Sequence, residues 1–391
     1  MITIAPAVAT ARVSTPSTLL LVDDNPVNLQ VLLRTLEGHG HRLLVARDGQ
    51  AAIEIARRTS PDLILLDVLM PGIGGFDVCR TLKADPALSS IPILFLSALG
   101  EVPDKVAGLA VGAVDYITKP IQPDEVLARV DVHLARHRLE RELRLANQRL
   151  NRELSRAAEM QRLILPRQLP RDARLHFAAH YRTSRFVGGD YYDVLPVPGE
   201  RYMVLTLDVS GHGAPAAIVM AMIRTTVHAY AGNRESPAAV LRHLHECFAC
   251  LEESSVYATA VCAIVDAGRG TLRVACAGHP PPVVWRAGEG ASRLPCEATT
   301  PLLLLALTDV PETEHAIAPG DRILFYTDGV TDRESPSGEQ FAVDGLMRSL
   351  DRIGLAPVDA AIGDLVDDLE RFAGGTEPAD DNTLLLVGVE G

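Results

Sequence analysis

Leu63-Ile64-Leu65-Leu66-Asp67-Val68-Leu69-Met70-Pro71-Gly72 begins as a short β-forming apolar run and ends on a carboxylate followed by a Pro-Gly break. Similar runs flank it at Leu19 to Val22, Leu43 to Ala46, Ile93 to Leu96 and Val114 to Ile117, with amphipathic segments between them. Strands alternating with helical patterns predict an α/β fold, a parallel sheet covered by helices on both faces and joined by right-handed crossovers. Ligands of such sheets bind beyond the carboxyl ends of the strands. There the first strand runs into Asp23 and Asp24, the third into Asp67, the fourth into Ser97 and the fifth into Lys119-Pro120. One Asp at a strand end is commonly a helix N-cap, but these positions falling together point to a site. Crowded carboxylates raise one another's pKa unless a divalent cation sits among them, and magnesium suits an oxygen set of this kind. Only three of the 37 basic residues are lysines, Lys83, Lys105 and Lys119, which suggests that a compact ammonium is wanted where Lys is kept.

On Asp67-Val68-Leu69-Met70-Pro71-Gly72 and Lys119-Pro120, residues 18–137 resemble a response-regulator receiver domain, a flavodoxin-like (βα)5 fold. The resemblance implies phosphorylation of Asp67 by a sensor histidine kinase. It also implies Mg2+ held by Asp23, Asp24, Asp67 and the main-chain carbonyl of Leu69, with Lys119 and the Ser97 hydroxyl on the phosphoryl oxygens and Tyr116 as an inward-swinging switch. Ser97 replaces the commoner Thr and keeps the hydroxyl.

With 391 residues the chain exceeds one ordinary core and should hold two or three domains. Its 47% hydrophobic and 22% charged residues and mean hydropathy of +0.13 are those of a globular protein. The longest apolar run, Leu302 to Leu307, is far short of the roughly 18 residues of a membrane span. Met1 to Val13 lacks a charged region followed by an apolar one, so a cytoplasmic location is expected, and residues 1–17, small, polar and Pro-containing without periodicity, are expected to be a flexible leader. Six cysteines with a single CxxC, Cys247 and Cys250, make neither a disulfide framework nor a four-ligand zinc site, and that pair reads as helix core, with a redox-active pair as the alternative. A net charge of −13 repels phosphate backbones and argues against nucleic-acid binding.

From Pro123 to Leu165 the sequence is helical, with no Gly or Pro after Pro123 until Pro166. Heptad positions a (Leu143, Leu150, Ala157, Ile164) and d (Leu139, Ala146, Glu153, Met160) are apolar at seven of eight sites, which predicts a parallel, dimer-forming coiled coil over 138–165. A solvated spacer helix is the alternative. Pro166 and Pro170 end it.

A second domain, 166–391, then carries strand-like runs at Tyr202 to Asp208, Ala258 to Asp266, Leu272 to Ala275, Pro282 to Trp285, Ile323 to Thr327 and Thr383 to Val389. Helical patterns are fewer, chiefly Ala214 to Ala231 and Pro237 to Glu252, giving antiparallel sheets with outer helices, an α+β arrangement. Its carboxylates border glycines or strand ends: Gly188-Gly189-Asp190, Asp208-Val209-Ser210-Gly211-His212-Gly213, Thr327-Asp328-Gly329 and Asp380-Asp381-Asn382-Thr383. Singly these are turn residues; together they suggest acids converging on paired hard cations and hydrolysis of phosphate esters. No Gly-x-Ser-x-Gly elbow surrounds Ser210, which argues against a serine hydrolase.

These motifs, with Leu165-Pro166 and Ala277-Gly278-His279-Pro280, resemble a PPM-type metal-dependent serine/threonine phosphatase of the SpoIIE/RsbU group. The resemblance implies an α-β-β-α sandwich with two Mn2+ or Mg2+ ions. Asp208 would bridge them with help from the Val209 carbonyl, Asp328 and Asp380 would complete the set, and Asp190 would bind directly or through water. Asp381 matches a position supporting the last ligand, with Asp380 and Asp381 both open as the coordinating acid. Arg185 is a candidate for the substrate phosphate or a plain surface residue, and His212 and His279 are candidate acids or loop-shaping residues. The implied substrate is a phosphorylated anti-sigma-factor antagonist, and a homodimer through the receiver and linker helix is expected, without nucleic-acid or membrane contact. The rival reading is a non-catalytic adaptor that uses a phosphatase-like domain to bind a partner.

Overall fold

The computed structural model describes residues 16–98, 110–184, 186–211, 213–254, 256–305, 307 and 309–390. Two units divide the chain, 1–149 and 150–391. In the first, strands β1 (Thr18–Val22), β2 (Arg42–Ala46), β3 (Leu63–Asp67), β4 (Ile93–Ala98) and β5 (Asp115–Lys119) alternate with helices α1 (Pro26–Leu36), α2 (Gly49–Thr59) and α3 (Gly75–Ala84). The sheet is parallel throughout, in the order β2-β1-β3-β4-β5. Its central strands are continuous apolar runs because both faces are covered. Leu20, Val22, Ile64 and Leu66 pack with Ala52, Val78 and Leu82 of α2 and α3, while Leu19, Leu21, Leu63 and Leu65 pack with Leu32 and Leu36 of α1. Ser17, at the end of the expected leader, is buried, and its carbonyl accepts from Arg42 N–H at 2.8 Å; residues 1–15 lie outside the described ones.

Helix α4 (Pro123–Ile164) is a single run of 42 residues, as the absence of Gly and Pro after Pro123 predicts. Within 1–149 its first turns bury Val126, Val130 and Leu134. Further on, the heptad residues Leu139, Leu143, Leu150 and Met160 are 66%, 63%, 53% and 66% exposed. Within 150–391 a different stripe faces inward: Leu154 and Ala158 are half-buried, and Gln161 and Leu165 buried, at the 4-3-4 spacing of one helix face.

The second unit comprises β6 (Leu175–Arg182), β7 (Tyr191–Val197), β8 (Arg201–Val209), α5 (Ala214–Ala229), α6 (Pro237–Cys247), β9 (Ala258–Asp266), β10 (Thr271–Ala277), β11 (Val283–Arg286), β12 (Gly290–Arg293), β13 (Ala298–Thr299), β14 (Thr313–Ala316), β15 (Arg322–Tyr326), α7 (Asp328–Thr331), α8 (Ala342–Ile353), α9 (Val358–Ala373) and β16 (Asn382–Val389). One sheet runs β13-β10-β9-β8-β7, with β14 also on β10, and the other runs β12-β11-β15-β16-β6. Pairing is antiparallel except between β10 and β13. The strands alternate inward and outward: Ile323, Phe325, Leu385 and Val387 fill the space between sheets, whereas Leu324, Tyr326, Leu384 and Leu386 pack under α8 and α9 through Leu346, Leu350, Leu365 and Leu369. Helices α5 and α6 cover the other sheet, which completes the α-β-β-α sandwich.

Helices α8 and α9 add to the two helical patterns of the sequence reading. The Cys247/Cys250 pair is exposed, not core, because the buried face of α6 is Ala238, Leu241, Leu244 and His245 and the helix stops at Cys247. Among the described residues no helix is long and apolar enough to cross a membrane.

Candidate functional site

The carboxyl end of the parallel sheet gathers Asp23, Asp24 and Asp67, whose ligand oxygens lie within 4.8 Å of one another. This is the hard, all-oxygen donor set that a magnesium ion takes. Asp23 is fully buried and accepts from Asn25 N–H at 2.9 Å and from the Asn28 amide at 3.0 and 3.1 Å. Lys119 Nζ spans the cluster, 2.9 Å from Asp23 Oδ2 and 2.8 Å from Asp67 Oδ1. Burial lifts the Asp67 carboxyl above its ordinary range against the pull of Lys119. Burial also pulls Lys119 down, but its bonds to Asp67 and Asp23 outweigh this and leave it above an ordinary lysine. Ser97 is buried on β4 opposite Thr118. Leu69 is exposed and its N–H donates to Asp67. Tyr116 is half-buried beneath Arg129, whose guanidinium carbon sits 5.7 Å from the ring centroid.

In the second unit Asp190 precedes β7, Asp208 lies near the end of β8, Asp328 opens α7 after β15, and Asp380 and Asp381 precede β16. Burial first, then Asp328 and Asp380, push Asp208 up to about 7. Burial, then Asp208, raises Asp190 well above an ordinary carboxyl, and burial, then Asp380, raises Asp328. These acids therefore destabilise one another's charge, the condition that a bound divalent cation relieves. Their donor set is all oxygen and fits Mg2+ or Mn2+ in kind. Asp381 is engaged differently: Oδ1 accepts from Ser184 N–H and Oδ2 from Gly189 N–H, both at 2.8 Å. Gly188 is needed here because a Cβ would fall on the Asp381 carboxylate, and Gly329 because a Cβ would strike the Asp381 carbonyl oxygen.

Several residues of this site had no role in the sequence reading. Thr327, between β15 and α7, and Thr383 on β16 are both fully buried and donate to Asp190 Oδ2, at 2.7 and 2.5 Å. Gln161, on the last turn of α4, makes a two-point bond to the Gly188 peptide: its amide donates to the carbonyl at 2.6 Å, and its oxygen accepts from the N–H at 3.1 Å. His279 is buried with Nε2 3.0 Å from the Tyr326 carbonyl and Nδ1 2.8 Å from Thr259 Oγ1. The carbonyl requires Nε2 to carry the proton, so Nδ1 accepts from Thr259. Burial pushes His279 down to about 4, so it is neutral and ties two strands. Arg185 and His212 lie outside the described residues.

The family model of the response regulator receiver domain matches residues 19–131, and that of Stage II sporulation protein E (SpoIIE) matches residues 198–390. Protein PilH of Pseudomonas aeruginosa is 38% identical over 117 residues, 30% of this chain and 97% of PilH. The DNA-binding response regulator MtrA of Mycolicibacterium smegmatis is 44% identical over 119 residues, 30% of this chain and 51% of MtrA, so the chain spans about half the length of that relative. Among solved structures, the SiaA-PP2C domain of Pseudomonas aeruginosa shares the fold with a TM-score of 0.56 at 24% identity, over 63% of this chain and 99% of that one. The RsbU and RsbW domains of Rv1364c from Mycobacterium tuberculosis align with a TM-score of 0.50 at 27% identity, over 58% of this chain and 63% of that one. With Asp67 and Lys119 at the strand ends of one unit and the acids of a SpoIIE-type sandwich in the other, this chain belongs to the response-regulator family and joins a receiver domain to a PPM-type domain of the SpoIIE group.

Proposed function

We propose that this chain is a two-component response regulator, phosphorylated on Asp67 by a sensor histidine kinase, whose output is metal-dependent dephosphorylation of phosphoserine or phosphothreonine on an anti-sigma-factor antagonist. The observation that carries the reading is the gathering of Asp190, Asp208, Asp328 and Asp380 from separate strand ends, where Asp208 raises the pKa of Asp190, Asp328 and Asp380 raise that of Asp208, and Asp380 raises that of Asp328. A purely binding domain gains nothing from such mutual repulsion. The RsbU domain in one of the aligned structures is the support for a partner-switching substrate.

In the receiver unit, Asp67 offers a carboxylate oxygen to the incoming phosphoryl group. Asp23, Asp24, Asp67 and the Leu69 carbonyl would hold Mg2+, Lys119 already stands against the Asp67 carboxylate at 2.8 Å, and Ser97 is the second phosphoryl contact. Tyr116 would respond by moving inward from beneath Arg129. In the other unit, Asp208 with the Val209 carbonyl, Asp328, Asp380 and Asp190 would hold two Mn2+ or Mg2+ ions. Bound there, the ions would polarise a phosphoryl oxygen and lower the pKa of the attacking water. Asp381 fixes the Ser184–Gly189 loop, and Thr327 and Thr383 fix Asp190. Helix α4, extending from residues 123–137 of the receiver domain through the 138–165 linker, ends on that loop at Gln161 and is the proposed route from Asp67 to the phosphatase domain, residues 166–391.

Phosphate release from a phosphoserine protein or p-nitrophenyl phosphate with Mn2+ tests this. Metal-dependent turnover should vanish in Asp208→Ala and persist at the unphosphorylated level in Asp67→Ala. No turnover even with the receiver phosphorylated would leave a binding adaptor.

A further inference from the structure

Helices α5 and α6 of the second unit meet over side chains that the acid site does not use. Tyr230 caps α5, and its ring stacks on that of His243 in α6, with centroids 4.3 Å apart and planes 24° from parallel. Arg234 Nε donates to the Tyr230 carbonyl at 2.8 Å, and Gly232 is needed because a Cβ there would strike the Tyr230 ring. One helical turn on from His243, at the i, i+4 spacing, Cys247 Sγ lies 3.5 Å from Nε2 and 3.8 Å from Nδ1 of its ring. Cys247 and Cys250 are exposed, whereas Cys79, Cys262 and Cys276 are buried and Cys296 is half-buried. We propose that Cys247 is a nucleophilic thiol with His243 as its base, and that Cys247 and Cys250 form a reversible redox pair that exchanges with small disulfides. The proposal stands independently of the phosphatase reading.

A nucleophile within hydrogen-bond reach of a base, whose ring a third group holds, is the arrangement that activates a thiol. A neutral imidazole accepts at one nitrogen only; the sulfur is within reach of both, so the thiol finds an acceptor in either tautomer. The base has to be a side chain, because Cys247 is the last residue of α6 and the negative end of a helix dipole disfavours a thiolate. Past Cys247 the winding tightens: Phe248 N–H reaches both the Leu244 and His245 carbonyls at 3.3 Å, and Cys250 lies in the 3-10 helix Ala249–Ser254. Side chains three residues apart come into line in such winding. In the first step His243 takes the Cys247 proton and the sulfur attacks a small disulfide: a bond from Cys247 sulfur forms, the small disulfide's S–S bond breaks, and one thiolate leaves and takes the proton back from His243. In the second, Cys250 sulfur attacks Cys247 sulfur: the Cys247–Cys250 bond forms, the mixed disulfide breaks, and the second thiolate leaves with the Cys250 proton. The chain loses two electrons, the small disulfide gains them, and an added dithiol reverses the change.

Glutathione disulfide is the probe, applied to the full chain at neutral pH and followed over time by denaturing alkylation and cleavage after glutamate, without reductant. That cleavage releases residues 247–252, which carry Cys247 and Cys250 and no other cysteine. We expect a glutathione adduct on Cys247 first, then an internal disulfide in this peptide that dithiothreitol reopens, while Cys79, Cys262 and Cys276 are alkylated. In Cys250→Ser the adduct should remain on Cys247. His243→Phe keeps a ring against Tyr230 and deletes the base, so it should slow the reaction of Cys247 about tenfold or more. An adduct on Cys250 ahead of Cys247, an adduct that persists on Cys247 with both cysteines present, an unchanged rate in His243→Phe, or full retention of both thiols would each overturn the proposal. Because the order of reaction and the internal disulfide are read in the unaltered chain, the result does not depend on the folding of any variant.

Discussion

Asp190 Oδ2 takes hydroxyl hydrogen bonds from Thr327 and Thr383, and its carboxyl is buried. Removing one such donor leaves a buried carboxyl oxygen short of a partner, at a cost of about 1.5–3 kcal/mol for a hydrogen bond to a charged group. Thr383→Val conserves shape and deletes only the donor, so it should weaken half-saturation by Mn2+ about 10- to 100-fold while the chain stays folded; metal titration of phosphate release, with circular dichroism alongside, is the check. An unchanged metal dependence would remove Thr383 from the site. The acids were legible in the sequence because each borders a glycine or a strand end, positions where a charged side chain needs a reason. The threonines were not, since a hydroxyl in or beside a strand is ordinary until the loop before β7 brings the Asp190 carboxylate to it from the other sheet.

Helix α4 shows what a one-dimensional pattern misses. Its heptad seam was readable, and Leu139, Leu143, Leu150 and Met160 are indeed exposed, but Gln161 falls next to a d position, where a polar residue reads as solvent-facing. Its burial comes from the sandwich that α4 enters through Leu165. Gln161→Ala would strand the Gly188 carbonyl and N–H, a penalty of about 1–3 kcal/mol per unsatisfied group. The expected outcome is about a fivefold or greater fall in turnover of the unphosphorylated chain, with response to Asp67 phosphorylation lost, and with Gln161→Glu, which keeps the acceptor for Gly188 N–H, falling between the two. Equal response in Gln161→Ala would exclude this route. The five parallel strands were recovered within a residue or two because uninterrupted apolar runs have few other uses. Helices α8 and α9 escaped because their apolar stripes are diluted by acids, such as Asp364, Asp367 and Asp368 on α9, and β12 to β14 because strands of two to four residues carry no period.

At the level of the whole molecule, the exposed leucines of α4 are the expected contact between two copies. Replacing Leu143 and Leu150 with Glu should abolish dimerisation of the Asp67-phosphorylated chain, measured by sedimentation, and uncouple its turnover from phosphorylation, while basal hydrolysis stays within about twofold because neither side chain is in the inward-facing stripe. Retained regulation in that variant would discard the coiled-coil coupling. The continuity of α4 also sets an angular clock. Each residue advances the helix by about 100°, and 42 residues extend about 63 Å, so the bearing of the Val126–Leu134 face against the Leu154–Leu165 face is fixed by how many residues separate them. Seven added residues bring that bearing back to within about 20°, four turn it by about 40° and one by about 100°. Under the coupling proposed through α4, deleting one residue between Leu134 and Leu154 should cost the response to Asp67 phosphorylation, whereas deleting seven should keep it, with basal turnover unchanged in both.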